Sequence, residues 1–235
     1  MIDNLGTLDE KIENNERLYQ QIEKECALIF NQVMRSDTTE RIALSDVADF
    51  YGGYSYSGEE LVESSDTGLI TIKNFERTGG FKIEGFKPLC VKGKIKESAY
   101  CEVGSLLVAH TDLTQNADII GNPVLVLSSG QYKNLVASMD LVKVVPKSYF
   151  SERILYLLLK SADFKGHALG YSAGTTVLHL SKKALQEYQF NSPNKDVIVS
   201  LDEKLLPLFK RLKILLAENQ KLAELKQLYL KKFFG

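Results

Sequence analysis

Residues 8–33 read LDEKIENNERLYQQIEKECALIFNQV, and the spacing of the apolar side chains in this stretch sets the framework of the fold. Leu8, Ile12, Tyr19, Ile22, Cys26, Ile29 and Val33 follow steps that alternate four and three once Asn15 is counted among them. A helix presents such a heptad seam along one side. Thr7, with Glu10 three residues on, fits a capping box, so the spacing predicts a helix starting there. Ser36-Asp37-Thr38-Thr39 is rich in side chains that bond to their own backbone, and it ends the helix.

The same pattern returns at the other end of the chain. Leu201, Leu205, Leu208, Leu212, Leu215, Asn219, Leu222, Lys226, Tyr229 and Phe233 again alternate four and three, and Ser200 with Glu203 forms a second capping box. Pro207 lies inside the run; it is expected to kink the first two turns, or the helix proper starts near it. Two runs of similar length flank one domain, and each carries a seam Asn. A buried Asn costs stability and fixes register. The expectation is an antiparallel coiled-coil pair, with Ile12, Asn15, Tyr19, Ile22, Cys26 and Ile29 packed on Leu208, Leu212, Leu215, Asn219, Leu222 and Tyr229.

Between them the pattern changes. Residues 68–72, 106–109, 123–127, 142–145 and 176–180 are short apolar stretches separated by Gly, Asn and Ser clusters, and they read as strands. Residues 150–161 are Leu-rich and long enough for a buried helix, and residues 180–185 open a short one capped by Ser181. The class is α+β: an N-terminal helix over 1–36, a β-rich domain over 37–196 and a C-terminal helix over 197–235.

The 235 residues carry 29 Lys+Arg against 30 Asp+Glu, a net charge of −1, and 44% are hydrophobic. No apolar run approaches the roughly 18–20 residues needed to span a bilayer, so no membrane partner is expected. Met1-Ile2-Asp3-Asn4 has no basic start and no apolar core, which argues against a signal peptide. Cys26, Cys90 and Cys101 are far apart and form no CxxC, so neither a disulfide framework nor a zinc site is expected. These features point to a cytoplasmic protein with reduced thiols.

Enzyme motifs fail on context. Gly170-Tyr171-Ser172-Ala173-Gly174 matches G-x-S-x-G, but that motif needs a strand before it, a helix after it, and an acid and then a His further on. Here a strand follows, and His179 is too close to complete a triad. There is no phosphate-binding GxxxxGK[ST]. Asn122-Pro123-Val124-Leu125 lacks the second Pro and the aromatic of an amino-methyltransferase motif, and no Pro-Asp pair opens a metal-nuclease motif. His110, His167 and His179 are scattered. No catalytic constellation, no metal site and no cofactor is expected.

The polar loops suit nucleic acid better. Tyr54 and Tyr56 lie in a Gly/Tyr/Ser loop, and Lys73, Asn74 and Arg77 share another. Asn and Arg can read adenine and guanine edges bidentately. His110 and Thr111, with Ser172, Thr175, Thr176 and His179, add short polar groups.

With these residues in view, the chain resembles the specificity subunit of Type I restriction–modification systems. Leu8-Asp9-Glu10-Lys11-Ile12-Glu13-Asn14-Asn15 is similar to the start of that family's first conserved helix, and residues 44–54 to the opening of a target recognition domain. Residues 104–111 resemble its mid-domain strand, though the family more often begins it with Gly-Asp, and residues 170–193 its closing loop, strand and short helix. Family members usually carry two recognition domains; this chain has one, between two helices, and looks like a half-size form. The resemblance implies a non-catalytic DNA-recognition subunit. The recognition domain would read one half-site of double-stranded DNA, and the helices would dock methyltransferase (modification) subunits, and through them the restriction subunit. Self-association to a homodimer would restore two readers and a palindromic, interrupted target. The alternative is a coiled-coil adaptor or inhibitor that competes with a full-length specificity subunit.

Charge is unevenly shared. Residues 1–35 carry 4 basic and 7 acidic side chains, and residues 201–235 carry 8 and 4, which favours pairing of the helices. The middle is slightly acidic, so weak DNA binding by the chain alone is expected.

Overall fold

The computed structural model describes residues 2–35, 39–77, 80–112, 116–174 and 177–234. Helix α1 (Ile2–Met34) is followed by β1 (Thr39–Ala43), the single turn α2 (Leu44–Val47) and β2 (Ala48–Gly52). Then come β3 (Thr67–Ile70), β4 (Lys87–Pro88), β5 (Tyr100–Cys101), β6 (Leu106–Ala109), β7 (Thr111–Asp112), β8 (Pro123–Leu125), β9 (Asn134–Ala137) and β10 (Leu141–Pro146). Helices α3 (Glu152–Leu159) and α4 (Ala162–Gly170) precede β11 (Ser172–Ala173), β12 (Leu178–Leu180), the short α5 (Lys183–Gln186), β13 (Gln189–Pro193) and α6 (Lys195–Phe234). The class is α+β.

Helices α1 and α6 lie antiparallel. Lys11 pairs with Glu218 at 2.7 Å, and Lys226 reaches Asp9 further along α6. On the seam, Asn15, Ile22, Cys26, Leu212 and Leu215 are buried, while Ile12, Tyr19, Ile29, Leu208, Asn219, Leu222 and Tyr229 are half-buried. Phe30, Leu201, Leu205 and Phe209 are buried beside them.

The helix starts differ from expectation. Helix α1 begins at Ile2, so the Thr7–Glu10 pair lies inside it. Helix α6 begins at Lys195, where the Asn194 side-chain oxygen accepts the Val197 N–H at 3.1 Å, and Ser200 is interior. Asn194 is as good a cap as Ser and lies earlier, so it takes the role. Pro207 also lies within a continuous α6. A mid-helix Pro costs about 3 kcal/mol. Leu201 and Leu205 before it and Phe209 and Leu212 after it are all buried, and each such side chain contributes about 1.5–3 kcal/mol, so packing outweighs the lost bond.

Among the described residues, four small sheets form the middle: β1-β13; β2-β10-β6-β8; β11-β12-β7; and β4-β3-β9-β5. All ladders are antiparallel except β3 with β9. Strand β1 on β13 brings the exit of α1 beside the entry of α6, which closes the domain at its neck. Strands β3, β8 and β12 are shorter than the apolar runs suggest; Ile72–Asn74 is a 3-10 turn, and Thr176 lies outside the described residues. Helix α3 is capped by the Ser151 hydroxyl, which accepts the Ile154 N–H at 3.3 Å. Helix α4 is invisible to periodicity because Gly166 and Gly170 interrupt it; the Ser161 hydroxyl caps it through the Phe164 N–H at 3.2 Å.

One core joins the domain to the helix pair. Ile154 to Leu159 of α3 are buried against Ile22, Cys26 and Phe30 of α1 and Leu201, Leu205 and Phe209 of α6. Polar ties reinforce it. Arg153 grips Asp202 bidentately at 2.9 and 2.6 Å, and Glu23 accepts both the Tyr156 hydroxyl and the Lys160 ammonium at 2.9 Å. The domain therefore sits on one half of the helix pair. Across residues 5–14 and 220–233, Leu5, Leu8, Ile12, Leu222 and Tyr229 are only half-buried, and Leu225 and Leu228 are exposed.

Candidate nucleic-acid interface

The candidate site starts at the close approach that follows β2. A Cβ on Gly53 would lie 2.1 Å from the Ser138 carbonyl oxygen, so only glycine fits. That approach lets the Tyr54 N–H donate to Ala137 O at 2.7 Å and the Met139 N–H donate to Tyr54 O at 2.9 Å. The Tyr54 hydroxyl then donates to Glu60 at 2.6 Å. Glu60 is buried and also accepts the N–H groups of Ser57 at 2.8 Å and Lys92 at 3.1 Å. These bonds, the Ser57 N–H first and the Tyr54 hydroxyl next, hold its carboxyl down at about 2. Glu60 thus pins Tyr54 and the 92–96 loop together, and Gly93 sits close enough that its Cβ would be 3.2 Å from the Tyr54 hydroxyl.

From Tyr54 the chain of contacts runs through the turn at 138–140. Asp140 O accepts the His110 N–H at 2.7 Å, and the Asp140 carboxylate accepts the Thr111 hydroxyl at 3.0 Å. Thr111 pairs with His179 across β7–β12, and His179 pairs with Ala173 across β12–β11. Tyr56 is half-buried, and its phenol is pushed up by burial and then by the Asp140 charge.

The structure therefore gathers Tyr54, Tyr56, His110, Thr111, Ser172 and His179, residues far apart in sequence, into one connected group. His179 is exposed, and Met139 on the 138–140 turn is 55% exposed. Thr111 is buried with its hydroxyl engaged, and Ser172 donates to Ala168 O at 2.8 Å, so these two hold the group's shape.

Other candidates fall elsewhere. Asn74 is corrected: it is fully buried, its side-chain oxygen accepts the Thr71 N–H at 3.0 Å, and its amide donates to Lys82 O at 2.8 Å. Fully buried, with both ends tying its own loop, it is out of reach of a base. Lys73 and Arg77 are placed in the loop whose Glu76 feels Glu16 and Glu23 of α1, so they flank the helix pair. Thr175 and Thr176 lie outside the described residues. Around the G-x-S-x-G match, helix α4 leads into strand β11, the reverse of the strand-turn-helix that a nucleophile elbow requires.

Sequence reading missed a basic rim. Residues 92–96 carry three lysines and no acidic side chain, a local excess hidden by the domain's balanced total. Lys94 and Lys96 are exposed in the loop held against Tyr54, and Lys182 is exposed beside β12, within electrostatic reach of His110. The closely spaced Lys92, Lys94 and Lys96 were the legible signal.

A groove of about 500 Å³ lies elsewhere, lined by Arg41, Asp163, His167, Glu187 and Tyr188 among others. Several of its polar groups are spent internally: Arg41 on Gln189, Asp163 on Tyr188, and His167 on Ala184 O. Among the described residues no cluster of His, Cys, Asp and Glu could hold a metal ion, and no helix is long and apolar enough to cross a membrane.

Two long antiparallel helices carrying a β-rich unit between them make a fold similar to that of specificity (S) subunits of Type I restriction–modification systems. The S subunit from M. genitalium matches 99% of this chain and 59% of its own with a TM-score of 0.65 at 15% identity. The HsdS subunit from Thermoanaerobacter tengcongensis matches 97% of this chain and 54% of its own with a TM-score of 0.50 at 11% identity. The chain thus spans a little over half the length of the S subunits it resembles. No protein-family model matches the chain, and no curated protein matches it in sequence.

Proposed function

We propose that this chain is a non-catalytic DNA-recognition subunit that reads one half-site of duplex DNA and docks methyltransferase subunits through its helices. The observation that carries the reading is the whole-chain likeness to S subunits of Type I restriction–modification systems, with a single recognition unit set between the helices. Tyr54, Tyr56 and His179 of the connected group supply donors, acceptors and aromatic faces for base edges. Lys94, Lys96 and Lys182 beside it supply phosphate contacts, which position a protein without reading sequence.

The half of the helix pair away from the domain is where partners attach. Its seam is only half-buried, and Leu225 and Leu228 are open. A methyltransferase subunit's helices, or a second copy of this chain, would complete that packing. Self-association gives two readers at a fixed spacing and a palindromic, interrupted target. Sedimentation as a strict monomer, both alone and with the modification subunit, would remove the homodimer.

The decisive experiment compares the methylomes of cells with and without the gene. A new bipartite methylated motif is the expected result. Loss of an existing motif instead would identify an inhibitor that displaces a full-length specificity subunit, and no change in either direction would sink the DNA-recognition reading.

A further inference from the structure

His110 stands apart from every other polar side chain described in the fold. Both of its ring nitrogens are buried, and among the described residues they are the only buried side-chain nitrogen or oxygen atoms without a hydrogen-bond partner. Leaving a buried donor or acceptor unpaired is unfavourable, and native proteins avoid it unless the group has another use. The backbone at His110 is held on both sides. Its N–H donates to Asp140 O at 2.7 Å and its carbonyl accepts the Leu180 N–H at 2.9 Å, so the residue is clamped between the 138–140 turn and β12. The next residue, Thr111, is tied to Asp140 through its hydroxyl. The Asp140 carboxylate is thus already engaged beside the ring.

We infer that His110 is a specificity-determining residue, held unpaired in the free chain, whose ring takes its partner from a base-pair edge of bound duplex DNA. The inference rests on the proposed DNA reading and goes beyond it by naming the residue and its kind of contact. The charged and titratable groups that face the ring are His179 from β12, Lys182 ahead of α5, and Asp140 from the turn. Burial first, then His179 and Lys182, push the imidazole down from its ordinary range, and Asp140 opposes them. The ring is therefore neutral at physiological pH, with one donor and one acceptor. A neutral imidazole gains little from a phosphate but matches the mixed donor and acceptor pattern of a base edge. The lysines on either side of the group are the phosphate ligands, so the two kinds of contact are divided between different side chains. Reaching the ring requires its cover to shift, and among the described residues β12 pairs with β11 and with β7 over two residues each, a short ladder.

The experiment uses the 235-residue chain, wild type and His110→Phe, with a pool of duplexes randomised over their central segment. Thermal unfolding of the free proteins is measured alongside. Phe fills the space without unpaired polar atoms, so its melting temperature should rise by about 2–4 °C. Preference at one base position should fall by roughly 5- to 150-fold while the others persist, and the salt dependence of binding should stay as in the wild type. A lower melting temperature, an unchanged sequence profile, or a salt slope reduced by about 0.9 would each overturn the inference, the last by showing a phosphate contact. Should His110→Phe fail to fold, ring-nitrogen NMR of the wild type decides. The His110 signals must move with a duplex enriched from the pool and stay still with one that was not enriched. If the wild type enriches no sequence at all, it is the DNA reading that falls, and this inference falls with it.

Discussion

The side-chain amide of Asn15 on α1 donates to the side-chain oxygen of Asn219 on α6 at 2.8 Å, across a seam that is otherwise mainly apolar. The same amide reaches Glu218 at 3.1 Å, and Asn219 in turn donates to Ile12 O at 3.3 Å. The pair sits where the domain-bearing half of the helices gives way to the open half. A shift of one helix along the other would break these bonds at a seam where Asn15 is buried.

Replacing Asn15 alone by Ala strands the Asn219 oxygen, and urea denaturation should show a loss of about 1–3 kcal/mol. Replacing both Asn15 and Asn219 by Leu should instead raise stability while loosening register, seen as a mixture of association states by light scattering. A double variant that is both more stable and of one defined size would show that the Asn pair does not set register.

Glu60 gives an acid signature. Its folded-state carboxyl titrates at about 2, below the ordinary value of about 4.3. A depressed carboxylate contributes stability that is fully present above its unfolded pKa and is lost as pH falls through the folded one. The wild type should therefore lose melting temperature between about pH 4.5 and 2 more steeply than Glu60→Gln. Because Glu60 holds Tyr54 and Lys92, the variant should also bind DNA less well at pH 7. Parallel melting curves for the two proteins would remove Glu60 from this role.

The lysine rim makes a salt prediction. Each phosphate contact contributes about 0.9 to the slope of log affinity against log salt. Lys94→Gln with Lys96→Gln, or Lys182→Gln alone, should flatten the slope by about 0.9 for each phosphate no longer neutralised, while leaving base preference as it is. Arg77→Ala, beside the helix pair, serves as a comparison in the same titration. A changed sequence preference in the Lys variants would mean that they read bases and not phosphates.

Asp202 joins α6 to α3 through two nitrogens of the Arg153 fork, with side chains about a quarter exposed. Charge-assisted, bidentate bonds of this kind are stronger than neutral ones. Asp202→Ala should cost about 1–3 kcal/mol, measured by denaturant melts. Arg153→Ala added to it should cost little more, because both changes remove the same interaction. Additive effects would place the two residues in separate networks.

Much of this molecule was legible in its sequence. A seam of Leu8, Ile12, Ile22 and Cys26 answered by Leu212, Leu215 and Leu222 identified two paired helices, because a period of 3.5 leaves few other ways to hide apolar surface. Helix starts were less legible: Ser200 has good capping chemistry, but Asn194 lies nearer the end of β13, and the chain uses the first cap it meets after a strand. The candidate group was readable only in pieces. Tyr54, His110 and His179 have the right chemistry, but so does Asn74, and side-chain type alone does not say which Asn is consumed by its own loop.

Periodicity and local composition were enough for the α+β class and the two long helices, since each depends on residues near one another in the chain; the antiparallel partnership of the helices was legible only as two matching seams on either side of one domain. Which polar residues meet is a matter of packing. Strand pairings such as Thr111 with His179, and the glycine-only approach of residue 53 to Ser138, join segments more than sixty residues apart, and no local propensity encodes that distance. The unpaired ring of His110 belongs to the same class of property. It depends on every neighbour at once, and only the packed chain fixes them.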